Sequence, residues 1–463
     1  MQKSSENSKK ETNNSNQIRN GMVLELTIEQ INADGFGIAR EGDFTVQVAD
    51  TAPGDRVIAR VEHVSHHSGT AWARPLQAPQ RGDKWKRHFC KESQQAGGRC
   101  GGCPLGHITR DVYKQVKLDT VADAFVAEEL QLIPATLHCG VPKHYRNKSN
   151  FVVNRNKKGL VQLGSFAPRS HRFAPMQGCH INAHAITRLQ REIQTLFEDN
   201  QVPVHPAPSG IRYVTIKAFS TGALLVDVVV NDEEAQNTEA VAQALLDIPD
   251  VHGVSVTCNP EKGNQLRHTS SHLHMGKNAL CDRIADIQLR MKATTFFQLN
   301  NEIAAVMYQR AAEWCASAKT VWDLYCGIGG LGLTVAKSSG AVLYGCDSVD
   351  DAIDLAAKNA KTNQIDARFT SINLNTSFPS NWPAADVILV NPPRRGIDAH
   401  TMEQLGSKTA SQLIYMSCNP TSFARDAQQL AQQGYILRDV EAFDMLPNTS
   451  HVELLGRFER GTK

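Results

Sequence analysis

The chain has 463 residues, 41% hydrophobic and 21% charged, with a formal charge of +2. That length allows two or three domains, and no apolar run is long enough for a membrane-spanning helix. The polar opening Met1-Gln-Lys-Ser-Ser-Glu-Asn-Ser-Lys-Lys lacks the apolar core of a signal peptide. Eleven cysteines dispersed along so long a chain imply a reducing, cytoplasmic compartment.

Residues 1–20 are mostly Ser, Asn, Lys and Gln and are expected to form a disordered tail. From Met22 the pattern changes to short β-type runs, 22–28, 44–48 and 56–61. Turn signals at Asp34-Gly35, Glu41-Gly42-Asp43 and Pro53-Gly54-Asp55 separate them. A small barrel of the oligonucleotide-binding type is expected over 21–80; the strand pattern suits a purely structural β module equally.

Cys90, Cys100 and Cys103 then lie within fourteen residues around Gly97-Gly-Arg-Cys-Gly-Gly-Cys103, with Cys179 downstream. Four thiolates suit tetrahedral zinc or an iron–sulfur cluster. His88, His107 and His180 are alternative zinc ligands, and buried inert thiols are the bland reading. The same region is basic. Residues 130–191 contain ten Lys or Arg and no Asp or Glu, and 81–117 add nine Lys or Arg against Asp83, Glu92 and Asp111. Such a stretch on a near-neutral protein points to a polyanion such as nucleic acid, the alternative being a solvated basic face.

A helix is expected over 109–130, with Val112, Val116, Val121, Phe125 and Val126 as its apolar stripe. Strands over 145–163, 213–230 and 251–258, with helices at 181–199 and 241–246, make a central α+β domain of about 81–290. No internal repeat is present. Over 291–463 a helix at 301–316 precedes strands near 320, 341, 367, 385 and 411 that alternate with helices, and two strands (435–442 and 452–458) close the series. This is the pattern of a doubly wound, Rossmann-like α/β domain.

Four motifs stand at the ends of those strands: Asp323-Leu-Tyr-Cys-Gly-Ile-Gly-Gly-Leu-Gly332, Asp347, Asn391-Pro-Pro-Arg394 and Ser417-Cys-Asn-Pro420. Ligands of open parallel sheets bind outside the carboxyl ends of the strands, so the four should share one crevice. A glycine turn opening a helix lets backbone approach a ligand. Asp347 can take ribose hydroxyls and Asp323 an ammonium, which suits S-adenosylmethionine without excluding a dinucleotide. Asn-Pro-Pro also marks amino-group methyltransferases, but those follow the prolines with an aromatic, and Arg394-Arg395-Gly396 follows here. Cys418 fits covalent addition to C6 of a pyrimidine, which makes C5 nucleophilic. Its thiol must then be acidified by nearby charge or hydrogen bonds. Glu453, in His451-Val-Glu453-Leu, is the candidate base for the C5 proton.

Taken together these motifs resemble the RNA (uracil-5-)-methyltransferase family, in particular its 23S rRNA branch with a TRAM barrel and a [4Fe–4S] cluster. The resemblance covers the chain after the tail. It implies a three-part molecule of an OB-like TRAM barrel, a central RNA-binding domain and a methyltransferase domain at 291–463. It further implies Cys418 as nucleophile, Glu453 as proton acceptor, and Gln298, Tyr325, Gly330, Asp347, Asn373 and Asn391 as cofactor contacts. Cys90, Cys100, Cys103 and Cys179 would be the cluster ligands, and 23S rRNA the partner of a monomer without membrane association. Nine residues separate Cys90 from Cys100, more than is usual in the family. Asn391 stands where part of the family has Asp.

Overall fold

The computed structural model describes residues 18–134, 136–204, 207, 210–232, 237–260 and 271–461. Of the expected tail, 1–17 lie outside the described residues. Ile18, by contrast, is buried in the core of the first sheet with Leu24, Leu26 and Val46. Two compact units divide the chain, one drawn from residues up to His88 with Pro104–Val116, the other from Phe89–Cys103 and Lys117–Lys463.

In the first unit the alternation of buried and exposed residues along Val23–Thr27 and Arg56–Ser65 builds a six-stranded sheet with one apolar face. Three of its strands, Gln30–Ile31, Gly37–Glu41 and Thr70–Pro75, go beyond the runs visible in the sequence. One end of the segment 23–31 pairs with Arg56–Ser65 and the other with Gly37–Glu41, so the sheet's two edges are halves of one segment.

The second unit contains two large sheets. The first has seven strands in the order Phe173–Pro175, Val161–Phe166, Lys148–Arg155, Ile211–Ala218, Leu224–Val230, Val251–Cys258 and Ser271–Gly276. The helix His184–Asp199 packs Ile186, Leu189, Ile193 and Phe197 into its core. The second sheet has eight strands, ordered Ala367–Ser371, Val342–Asp347, Thr320–Leu324, Val387–Val390, Gln412–Ser417, Glu453–Arg460, Tyr435–Asp444 and Leu137–Cys139. Its first five are parallel and Glu453–Arg460 runs antiparallel between its neighbours. The order reverses between Thr320–Leu324 and Val387–Val390, which opens a crevice at their carboxyl ends.

Several expectations shift. The helix runs Arg110–Ala127, and Val126, expected in its apolar stripe, is exposed while Val121 and Phe125 are buried. The strand Leu137–Cys139 leaves the central region to pair with Tyr435–Asp444. The hairpin Leu280–Ile284 with Ile287–Met291 buries Ile284, Ile287, Leu289 and Met291 in one core with Ile303 and Met307. Residue 290, where the sequence suggests a boundary, lies within the strand Ile287–Met291.

Candidate active site

The glycine turn is built by close approach. Gly327 and Gly329 have φ of 54° and 85°, the left-handed region glycine tolerates. A Cβ at Gly332 would lie 2.4 Å from Asp323 Oδ2, and one at Gly330 3.2 Å from Tyr308 Oη. Gly332 N–H instead donates to Asp323 Oδ2 at 3.0 Å. Asp347 accepts from Gly327 N–H (2.9 Å) and Val349 N–H (3.0 Å), fixing the second strand end against the turn. Asp323 is buried, and its Oδ1 has no hydrogen-bond partner among the described residues. Burial first, then the Asp347 carboxylate, push its pKa up to about 7 against the Gly332 hydrogen bond.

Below the turn lies a cavity of about 1490 Å³. Gln298, Tyr325, Gly330, Asp347, Asn373, Asn391, Cys418 and Glu453 all line it, as does Asp323. Gln298 is held through its backbone: its carbonyl accepts from Asn147 Nδ2 at 2.9 Å, and Asn147 Oδ1 accepts from buried Lys217 at 3.1 Å. The Tyr325 hydroxyl donates to Asp398 Oδ2 at 2.9 Å.

Cys418 lies between the strand Gln412–Ser417 and the helix Pro420–Gln432. Asn419 caps that helix by accepting from Thr421 N–H, while its Nδ2 donates to the Arg394 carbonyl at 3.1 Å. The Asn391 and Ser417 motifs are thereby locked together, and the Arg394 guanidinium stands near enough to the Cys418 thiol to lower its pKa. Contrary to the acidified thiol expected from the chemistry, burial and the Glu453 carboxylate raise the Cys418 pKa, and Arg394 only offsets them. Burial pushes the Glu453 carboxyl up to about 7, tempered by Arg394 and Lys117.

Arg394, Tyr308 and Lys117 are the residues sequence reasoning missed. Arg394 counted only as a departure from the amino-methyltransferase pattern. Tyr308 sat unremarked on a core helix, yet it lines the cavity near both Asp323 and Glu453. Lys117 was one basic residue among nine. In the structure it is fully buried, 2.6 Å from Asp444.

The cysteine segment is a separate feature. Cys100 N–H donates to the Glu92 carbonyl, and a Cβ at Gly98 would collide with Glu92 backbone, so the loop must be glycine there. Burial, then the neighbouring thiols Cys179, Cys100 and Cys90, raise Cys103 well above the usual thiol range. The four thus share one electrostatic neighbourhood, and no disulfide joins them. The donor set suits a cluster, but among the described residues no group of three or more His, Cys, Asp or Glu is arranged to hold a metal ion. The basic stretch is partly neutralised: Arg188 pairs with Asp250, and Arg81 with Asp50 and Asp55. Among the described residues, no helix is long and apolar enough to cross a membrane.

The chain is 29% identical to an uncharacterized RNA methyltransferase of Halalkalibacterium halodurans, across 94% of this chain and 97% of that one. It is 28% identical to one of Listeria monocytogenes, with the same coverage. Among solved structures it is similar to the Pyrococcus abyssi tRNA (uracil-54, C5)-methyltransferase in complex with S-adenosyl-L-homocysteine. That likeness has a TM-score of 0.74 at 22% identity and covers 94% of this chain and 100% of that one, which shows a shared fold. The family model described as tRNA (Uracil-5-)-methyltransferase matches residues 112–458. A match of that extent, over both large sheets and the cavity, means that the chain belongs to the tRNA (uracil-5-)-methyltransferase family.

Proposed function

We propose that the protein methylates C5 of a uridine in RNA with S-adenosylmethionine, through a covalent bond from Cys418 to C6. The observation that carries this reading is the convergence of Cys418, Arg394 and Glu453 in the cavity that also holds the glycine turn and Asp347. The unpartnered Asp323 Oδ1 is an acceptor suited to the cofactor's ammonium, and Gly330 allows close backbone approach. Gln298, Tyr325, Asp347, Asn373 and Asn391 would hold the cofactor and the uracil. When bound, the sulfonium cofactor supplies an electrophilic methyl group that leaves its electron pair on sulfur.

The remaining steps belong to side chains. The Cys418 thiolate, favoured by the Arg394 guanidinium, forms a bond to C6, and the C5=C6 pair shifts toward C5 and the C4 oxygen. Once C5 is methylated, Glu453 accepts its proton. The freed pair re-forms C5=C6 and expels Cys418 as thiolate. A base titrating near 7 matches this task at neutral pH.

The four-cysteine segment and the N-terminal sheet favour 23S rRNA as substrate. The family's description and the name of the Pyrococcus abyssi protein favour tRNA. Transfer of labelled methyl to separate pools of unmodified 23S rRNA and tRNA decides between them, and label in neither pool would reject the reading. A [4Fe–4S] cluster held by Cys90, Cys100, Cys103 and Cys179 would tie the 90–103 loop to the segment at 179. Its support is the shared thiol neighbourhood, and no catalytic step uses it.

A further inference from the structure

Glu453 opens its strand directly after the loop 445–452, which joins it to Tyr435–Asp444. Met445 and Leu446 line the cavity, so the shape of this loop decides where the carboxylate stands. An eight-residue connection would ordinarily be a mobile part of such a site. Here it is gripped at both ends by one side chain. Lys117 Nζ donates to Asp444 Oδ1 at 2.6 Å, to the Leu446 carbonyl at 3.4 Å and to the His451 carbonyl at 2.5 Å. The middle is held from the segment after Leu137–Cys139: Tyr145 Oη donates to the Pro447 carbonyl at 3.1 Å, and Asn448 Nδ2 donates to the Pro142 carbonyl at 2.8 Å. Asn448 has a φ of 69°, the left-handed conformation Asn tolerates, so the loop turns sharply where it is pinned.

We propose that Lys117, seconded by Tyr145, is a positioning residue for proton abstraction: it clamps the 445–452 loop at both ends and so holds Glu453 over C5. The inference rests on the C5-methylation reading above. Taking an ammonium out of water is costly, and here the cost is offset by three acceptors that all belong to the residues leading into one strand end. The ammonium also has an electrostatic consequence. The charged and titratable groups facing Glu453 are Arg394 from the Asn391 motif, Cys418 from the next motif, Tyr308 from the helix Asn301–Trp314, and Lys117. Asp444 and His451 stand on its own hairpin. Arg394 and Lys117 are the two groups that hold the carboxyl toward its ionised form.

The test follows RNA whose uridines carry tritium at C5, measuring tritium release and the denaturation-resistant protein–RNA adduct together. In full-length Lys117→Met, tritium release should slow about tenfold. Methylated adduct should accumulate, and the rising limb of the pH–rate profile should move to higher pH. Tyr145→Phe should slow release and build up adduct more weakly, with the pH profile unmoved because no charge is touched. The double variant Lys117→Met/Asp444→Asn removes both charges of the pair, so a folding defect from an unpaired Asp444 can be told from a catalytic one. Unchanged release in a folded double variant and in Tyr145→Phe would overturn the assignment. So would equal losses of adduct and release, which mark general damage. Wild-type protein that transfers methyl without releasing C5 tritium would overturn the C5 reading itself, and this assignment with it.

Discussion

Asp323→Asn should separate cofactor binding from stability, because the proposed ammonium contact and the buried charge carry opposite signs. Burial and the Asp347 carboxylate raise the Asp323 pKa from 3.8 to about 7, so the folded protein binds this proton more tightly than the unfolded chain does. Between those values folding takes up a proton, and stability falls as pH rises through the window. Above about pH 7 the whole cost of the buried charge is present, about 4 kcal/mol. Asparagine keeps the shape, and its carbonyl can still accept from Gly332 N–H, as Oδ2 does at 3.0 Å. The variant should therefore be more stable than wild type at pH 8 by up to about 4 kcal/mol, with the gain fading toward pH 4. An ammonium that would have met Oδ1 loses an ionic hydrogen bond worth about 2 kcal/mol. Binding of S-adenosylhomocysteine should weaken about thirtyfold. Urea unfolding at pH 5 and pH 8 and calorimetric titration measure both. A variant less stable than wild type at pH 8, or one that binds with undiminished affinity, would refute the role given to this carboxylate.

Other perturbations test neighbouring parts. Gly332→Ala places a methyl 2.4 Å from Asp323 Oδ2 and should cost about 1–3 kcal/mol together with cofactor binding, read by the same two assays. In the proposed mechanism the ionised Glu453 carboxylate is the working form, so wild-type turnover should rise with pH through about 7 as it loses its proton. Arg394→Ala removes the cation that favours the ionised forms of both Cys418 and Glu453, so the rising limb should move to higher pH; an unmoved profile would deny Arg394 that part. Protein purified without oxygen should contain iron and acid-labile sulfide, and Cys103→Ser, which alters one of the four proposed ligands, should lose them. A metal-free wild type would end the cluster proposal.

The motifs were legible because strand-end chemistry is local. A glycine turn, an acid on the next strand and two short motifs each announce themselves within a few residues, and the parallel order then brings them to one cavity. What the sequence hid depends on partners far along the chain. Leu137–Cys139 is three residues long and shows no period, and it becomes a strand only because Ala442–Asp444 lies beside it. Lys117 is one basic residue among many until the fold brings it to Asp444, more than three hundred positions away. Val126 fits a helical stripe by spacing, yet the helix ends at Ala127 and leaves it exposed. The raised Cys418 thiol was also beyond reach, because burial and the Glu453 carboxylate are properties of the assembled cavity.

The central claim, covalent chemistry at Cys418, is tested most directly by trapping. RNA containing 5-fluorouridine is mixed with the protein and S-adenosylmethionine and run on a denaturing gel. Fluorine at C5 cannot leave as a proton does, so Glu453 has nothing to remove and the Cys418–C6 bond persists. Wild type should give a shifted protein–RNA band and Cys418→Ala none. Methyl transfer to ordinary RNA without any trapped band, or activity retained in Cys418→Ala, would contradict the account.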